Sequence, residues 1–521
     1  MPIVATLLVA GGLWTAAQWQ HGLAWSPDSM TYHAVAQALL EGDGLHTGRH
    51  WRGLWEPYPA LTYWPPGYPL LLAVVGAVVG DLTTAASWVA LGGFVLSVLL
   101  GTELVVRLSG RPAARWLGPW LALFGPLLFV STRAWSEPLF VVLWTAQTLV
   151  LIHALRGADR EGSGRRWAVV GALAGSLLWV RHAAAPLLVV LPMGVAVGCW
   201  VLLPAASRAR GTARAVTSVA VCEAVVAGPW VLGSWLVRGH FGYRYPPSLS
   251  TEDLGANLWA ASKTSFVEGV LPGHASAWSW MPVVLGAALL GLGALALARR
   301  AQALDSAPRT RVTVVVAALL GVQGLISAAT YVAARAQYHL DEPDMRMLLP
   351  ATLPLVWVGL AAVGRRLSPR ALAVFGACGI AWSCVVGAAH VRVPTYKPFG
   401  FYEHPRHQET IAWVNDHAAP DDLVLALMDS LVHHRTGRPT LGPLGPPWAL
   451  HLTVDDVAQW ATLWPEEVGG RVLLVLPRSD SNGGTSLLSQ LRAGLPPQAG
   501  PVRFELLAQT EGIRVYWAHL R

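Results

Sequence analysis

Pro65-Pro66-Gly67-Tyr68-Pro69-Leu70-Leu71-Leu72-Ala73-Val74-Val75-Gly76-Ala77-Val78-Val79-Gly80 is apolar throughout except for one hydroxyl, yet from Gly67 to Gly80 it is only about 14 residues long. A bilayer core of about 30 Å takes roughly 20 helical residues to cross, so a run of this length following two prolines reads as a re-entrant or interfacial segment. Whether it crosses decides the topology of everything after it. The competing reading is a short tilted span, which would invert the N-terminus.

The arginines arbitrate. They cluster at Arg107, Arg111 and Arg115; at Arg156, Arg160, Arg165 and Arg166; at Arg208, Arg210 and Arg214; at Arg299, Arg300, Arg309 and Arg311; and at Arg365, Arg366 and Arg370. By the positive-inside rule these are five cytoplasmic loops, and each successive pair must enclose an even number of spans. The apolar runs between them obey this: 116–131 with 138–155, 167–182 with 185–203, 215–237 with 281–298, and 312–333 with 347–363, followed by a last run at 371–390. Ahead of the first cluster lie three runs, 3–20, 67–80 and 84–106, where parity allows two or none. If the short run does not cross, residues 21–83 form one external loop, and the N-terminus is cytoplasmic.

The expected fold is therefore mostly α: a polytopic membrane protein with about 11 transmembrane helices over residues 1–390 and a small extracytoplasmic α/β domain over 391–521. Composition agrees. Of 521 residues, 54% are hydrophobic and 13% charged, about half the charge of a soluble domain. The net charge of +7 is dispersed in short clusters rather than a stripe with interleaved aromatics, which argues against nucleic acid as a partner. Cys199, Cys222, Cys378 and Cys384 all fall in apolar runs and read as small core residues. The run 3–20 has no preceding Lys or Arg and reads as a retained anchor.

Polar chemistry is confined to the external loops 21–83 and 238–280 and to the tail. The tail pattern predicts a helix at 407–418, strands at 423–427 and 471–476, a helix near 485–493, and late strands around 503–509 and 512–517. In the first loop, Ser26-Pro27-Asp28-Ser29-Met30-Thr31-Tyr32-His33 opens with a helix-start signal, and Tyr32, Val35, Ala36 and Leu39 recur at helical spacing. This predicts an amphipathic helix along the membrane surface, with Asp28 at its start. Local physics alone makes Asp28 a simple N-cap.

Four stretches, taken together, resemble the GT-C superfamily of membrane glycosyltransferases, in the branch of the protein O-mannosyltransferases and the aminoarabinose transferases of lipid A. They are Asp28 and Tyr32 followed by Leu39-Leu40-Glu41-Gly42-Asp43-Gly44; Tyr63-Trp64-Pro65-Pro66-Gly67-Tyr68-Pro69-Leu70-Leu71; Arg133-Ala134-Trp135-Ser136-Glu137-Pro138-Leu139-Phe140; and Asp344-Met345-Arg346-Met347-Leu348-Leu349-Pro350 with Pro354. The last departs from the family's common form, which has tyrosine where Met347 stands.

The resemblance implies a polyprenyl-phosphate-linked sugar as donor and an extracytoplasmic glycan, lipid or protein as acceptor. Because the leaving group is already a phosphate, such a transfer needs one carboxylate base, with cations to hold the departing charge. Asp28 is the implied base. Arg181, Arg346 and Arg133 are the implied phosphate contacts, a guanidinium fork being suited to oxyanions. Arg181 lies in Trp179-Val180-Arg181-His182, a short turn between apolar runs, where an unpaired charge is costly and snorkelling to water is the other reading. Tyr32, Glu56, Trp64, Tyr68, Glu137 and His182 complete the implied substrate-binding set. Arg133 and Glu137, four apart, also have the spacing of a helical ion pair.

The resemblance fixes no cofactor and leaves the need for a divalent metal open; Asp341, Glu342 and Asp344 have no distinctive metal spacing and read as a solvated loop. His433 and His434 likewise lack further ligands. Asp81 is a second first-loop acid, and Lys263, Glu268 and His274 lie in the second loop. Of 26 tryptophans, Trp51, Trp55 and Trp64 could stack on sugar, while interfacial anchoring accounts for most of the others. A transporter or lipid flippase and a non-catalytic membrane assembly protein are the rival classes. Apolar runs nearly free of acids, Glu103 and Glu223 excepted, argue against the transporter.

Overall fold

The computed structural model describes residues 1–19, 22–45, 64–158, 163–238, 308–338, 345–392, 405–426, 470–477, 502–511 and 513–520, with positions 432, 435–438, 440, 441, 457, 461 and 491 between them. Every expected span inside these residues except 116–131 lies on a helix: α1 (Pro2–Gln18), α4 (Leu82–Ser109), α7 (Glu137–Arg156), α8 (Ser163–Val180), α9 (Ala185–Leu202), α10 (Ala205–Arg238), α11 (Pro308–Tyr338), α12 (Met345–Arg366) and α13 (Pro369–Arg392). Among the described residues, six helices are long and apolar enough to cross a membrane, or seven if one bent pair counts as a span. The expected span at 281–298 lies outside the described residues, as do the loop 238–280 and Glu56.

The bent pair is where the chain departs from expectation. Residues 116–131 read as one span, but they form a short 3-10 turn (Pro112–Leu117) running into α5 (Gly118–Ala122), then α6 (Gly125–Ser131) after a 61° bend. Pro126 explains the break: it has no N–H to donate to Ala122, and Phe124 is extended (φ −64°, ψ 105°).

Two compact units emerge from the contacts. One comprises Met1–Leu23, Thr62–Leu71 and Thr84–Tyr396; the other comprises Ala24–Leu61, Leu72–Thr83 and Lys397–Arg521. In the first, a continuous core runs through the helices and includes Phe94, Trp135, Phe140, Trp144, Trp167 and Trp357. Close helix approaches rest on glycine. A Cβ at Gly171 of α8 would lie 2.2 Å from the Val219 carbonyl of α10, and one at Gly175 would lie 2.7 Å from the Glu223 carbonyl. Gly171 and Gly175 are one helical turn apart, so the two backbones meet along a small-residue seam.

The second unit holds a five-stranded sheet in the order β2-β1-β3-β5-β4, formed by β1 (Leu423–Ala426), β2 (Thr440–Leu441), β3 (Val472–Pro477), β4 (Val502–Gln509) and β5 (Ile513–Leu520). β1 is parallel to β2 and β3, while β5 is antiparallel to both β3 and β4. Strands buried on both faces read as unbroken apolar runs, which is why β1 and β3 were visible in sequence. β2, two residues long, carries no such signal. One face of the sheet is covered by Ile411 and Val414 of α14 (Pro405–His417) and by Met30 of α2 (Pro27–Glu41). The first-loop helix therefore belongs to the core of the sheet unit.

Asp422 fastens the start of β1 to β3. Its buried carboxylate accepts from the Ala419 and Arg471 amides at 2.8 Å each, and from the Arg471 guanidinium at 2.6 Å. Burial alone would push this carboxyl up, but the hydrogen bonds from Arg471 and Ala419 outweigh it and hold the pKa below the usual range.

Candidate functional site

Glu137 is the first residue of α7, where the helix dipole favours an acid, and it is only 1% exposed. Its Oε1 accepts from both Arg181 and Arg346. Arg181 follows the end of α8, and its guanidinium also reaches Ser136 Oγ at 3.5 Å. Arg346 comes from the first turn of α12, more than 200 residues away in sequence, and its guanidinium carbon sits 4.2 Å from the centroid of the buried Trp135 ring. Arg133 contacts the same indole at 5.1 Å and stacks on Phe129 at 3.7 Å, while donating to the Phe129 carbonyl at 3.0 Å.

The four-residue spacing of Arg133 and Glu137 thus did not produce an ion pair. Residues 132 to 136 lie outside a helix, so the i,i+4 geometry does not hold there, and the carboxylate is instead shared by two arginines from distant helices. Two guanidinium groups on one buried carboxylate, with a third against the same indole, present forked donors of the kind that suits a phosphate group.

The short apolar run forms α3 (Gly67–Val79), whose first turn packs against the end of α8. A Cβ at Gly67 would lie 2.7 Å from the Trp179 carbonyl, two residues before Arg181. Tyr68 in that turn is fully buried, and Trp64 just ahead of it is half-buried. His182 stacks on Trp230 of α10, with ring centroids 6.3 Å apart and planes within 16°. Arg133, Glu137, Arg181, His182, Arg346, Trp64 and Tyr68 all belong to the helical unit.

Asp28 and Tyr32 belong to the sheet unit. Ser26, not Asp28, caps α2, through a reciprocal box with Ser29 at 3.3 Å and 3.1 Å, and this places Asp28 in the first helical turn, half-buried. Gly42, left-handed at φ +87°, ends the helix. Tyr32 is buried at 3% exposure. Its neighbour His33 lies edge-on to Trp25; burial lowers the imidazole pKa and nearby Asp81 opposes that shift.

Trp135 and Ser136 are the contacts that sequence reasoning missed as site residues, although both stand in the quoted Arg133–Phe140 stretch. Their signal is three-dimensional, since each serves an arginine from another helix. Among the described residues, no group of three or more His, Cys, Asp or Glu side chains is arranged to hold a metal ion. Asp341, Glu342 and Asp344 lie outside those residues.

No protein-family model matches the sequence, and no curated protein matches it either. Solved structures do. ArnT from Cupriavidus metallidurans in the apo state is 16% identical with a TM-score of 0.53, over 99% of this chain and 97% of that one. The same protein bound to undecaprenyl phosphate is 15% identical with a TM-score of 0.51, over the same shares. The apo oligosaccharyltransferase of Archaeoglobus fulgidus is 11% identical with a TM-score of 0.55, over 91% of this chain and 69% of that one. At these identities the likeness is one of architecture, and it agrees with the resemblance read from the four sequence stretches: this chain has the fold of the GT-C membrane glycosyltransferases.

Proposed function

We propose that this protein is a membrane glycosyltransferase that moves a sugar from a polyprenyl-phosphate carrier to an extracytoplasmic glycan, lipid or protein. The observation that carries the reading is the carboxylate of Glu137 shared by Arg181 and Arg346, with Arg133 against the same indole. Fold likeness supports it: one solved neighbour, ArnT, is bound to undecaprenyl phosphate, and another, the archaeal oligosaccharyltransferase AglB, is in complex with an inhibitory peptide and a dolichol-phosphate.

In this reading the acceptor hydroxyl attacks the anomeric carbon and its proton passes to Asp28. The bond from that carbon to the phosphate oxygen breaks, and its electron pair leaves on the phosphate. A single displacement inverts the anomeric centre. Arg181, Arg346 and Arg133 hold the charge that develops on the leaving group, which lowers the barrier because they are already oriented. Glu137 orients two of the arginines; Tyr32, Glu56, Trp64, Tyr68 and His182 contact substrate. The N-terminus is cytoplasmic and the sheet unit extracytoplasmic, so transfer takes place on the side away from the arginine loops.

The test is sugar transfer in membranes supplied with a panel of polyprenyl-phosphate sugars, comparing wild type with Asp28→Asn at matched protein levels. A positioned base contributes about 10² to 10⁴ in rate, so the variant should lose at least two decades. Undiminished transfer would remove Asp28 from the mechanism and turn attention to Asp81 and Glu56. Absence of transfer by wild type from every donor would count against the class.

A further inference from the structure

One acid stands deep inside a span, and the transfer chemistry makes no use of it. Glu223 lies on α10, whose segment Ala205–Leu236 is long and apolar enough to cross a membrane. It comes nine residues after Arg214, the last arginine of its cluster. That is about 13 Å along a helix axis, close to the middle of a bilayer core of about 30 Å. Val219, Ala227, Trp230 and Ser234 recur with it at helical spacing and are all buried, whereas Val221 and Val225 on the opposite side are 53% and 68% exposed. The carboxyl therefore springs from the inward face of the helix. There Gly175 of α8 brings a second backbone against the Glu223 carbonyl. Oε2 is enclosed and has no hydrogen-bond partner, while the residue as a whole stays partly exposed, next to exposed Ala220 and Ala224. No cation faces it from the helices on which α10 packs, α8 and α9. α8 has Arg165 and Arg166 at its start and no titratable side chain from Trp167 to Val180, and α9 has Cys199 alone. α10 itself adds Arg208, Arg210, Arg214 and Cys222 before Glu223 and Arg238 at its far end. The apolar run 281–298, outside the described residues, contains no titratable side chain.

We propose that Glu223 is a proton-binding site in the membrane interior: it carries its proton at neutral pH and is the residue that a lipid-soluble carbodiimide modifies. An isolated carboxylate is too costly to desolvate, so a carboxyl in this setting takes up a proton instead. The modification consumes that proton. The carboxyl oxygen bonds to the central carbon of the carbodiimide as the proton moves to one nitrogen. The acyl carbon then shifts from that oxygen to the other nitrogen, and a stable N-acylurea results with nothing released. An ionised glutamate has no proton to give and does not enter this sequence. Protonation also matters to the helices themselves. α8 leads into Arg181 and α10 holds Trp230 against His182, so a charge appearing at Glu223 in alkali loosens the seam between two helices that bear site residues.

The test treats the full-length protein in lipid vesicles, at neutral pH, with dicyclohexylcarbodiimide or with a water-soluble carbodiimide, and locates the adduct by peptide mass spectrometry. The internal reference is Glu103, an acid near the end of α4 that is paired with Arg107 at 2.6 Å. Glu223 should react with the lipid-soluble reagent at least about tenfold more than Glu103, tenfold being roughly what one pH unit makes in the acid fraction of an ionised carboxyl. The water-soluble reagent should leave Glu223 unlabelled, and labelling by the other should fade in alkali. Thermal unfolding supplies a second measurement. An acid that the fold keeps protonated binds its proton more tightly folded than unfolded, so its stabilising share is complete below about pH 4 and is lost as pH rises. The unfolding midpoint of wild type should therefore fall relative to that of Glu223→Gln from weak acid to weak alkali. Equal labelling of Glu223 and Glu103, or preference of Glu223 for the water-soluble reagent, overturns the proposal on wild type alone, whether or not the variant folds. So does a difference between the two midpoints that stays constant across pH.

Discussion

Replacing Glu137 by glutamine tests the centre of the site with almost no change in shape. The carboxylate is 1% exposed, and the two arginine side chains bound to it are 12% and 13% exposed, so water can do little to compensate. Hydrogen bonds to charged groups contribute about 1.5–3 kcal/mol each. A neutral amide oxygen recovers about 1 kcal/mol of each, which leaves a net loss of about 1–4 kcal/mol for the pair. Full removal of a buried partner, as in Glu137→Ala, belongs in the range of about 3–5 kcal/mol, because the guanidinium groups are then left uncompensated. Stability is read from thermal unfolding of the detergent-solubilised protein. Function is read from kcat and KM for donor at matched protein levels. If Glu137 holds Arg181 and Arg346 in place for a leaving phosphate, Glu137→Gln should lower kcat/KM about 10- to 100-fold, chiefly through kcat, with Glu137→Asp recovering part of the loss. A double-mutant cycle with Arg346→Gln should give a coupling of about 0.5–3 kcal/mol. Stability within about 0.5 kcal/mol of wild type together with unchanged kcat/KM would refute the reasoning, because neither the ion pairing nor the orientation would then matter.

Other substitutions probe the frame around the site. Gly171→Leu drives side-chain atoms into the Val219 backbone and should cost about 3 kcal/mol or more in thermal unfolding, whereas Gly228→Ala, with open space at its Cβ, should be neutral or stabilise by about 0.5–1 kcal/mol. Trp135→Leu takes away the indole shared by Arg133 and Arg346 and should raise KM for the donor several-fold while leaving the fold intact by circular dichroism. In the sheet unit, Asp422 has a depressed pKa, so its contribution is present above about pH 4 and lost as pH falls through the folded-state value. Hydrogen exchange at the Arg471 amide should therefore accelerate in acid more steeply in wild type than in Asp422→Asn.

What could be read from the sequence, and what could not, follows from the range of the forces involved. Span positions within the described residues were legible because each apolar run is a local composition signal. The bend within 112–131 was less so. Pro126 stands in the run in plain view, but membrane helices often absorb proline, and only the extended Phe124 shows that this one breaks. In the tail, β1 and β3 announced themselves by continuous burial, whereas β2 depends on its pairing partner. The first-loop helix is the instructive case: it reads as an amphipathic helix along the membrane surface, yet its Met30 is packed with Val414, Val424 and Val475. An apolar face shows that something covers it and does not say what.

The same limit explains why the site was named residue by residue before its wiring was visible. Arg181 drew attention because a charge between two apolar runs must be satisfied somehow, and that inference is thermodynamic and local. Its partner lies on another helix and cannot be deduced from spacing. Once found, the partner changes the argument about why the charges are there. A buried carboxylate with two arginines is a poor way to stabilise a helix bundle, since well-packed apolar side chains of similar volume are often as good or better by about 1–4 kcal/mol. Guanidinium forks held in place by Glu137, Trp135 and Ser136 are what an incoming phosphate requires. Stability measured with and without polyprenyl phosphate discriminates a ligand site from a purely structural ion pair: if the forks await an anion, the carrier should raise the unfolding midpoint of wild type and have a smaller effect on Arg346→Gln.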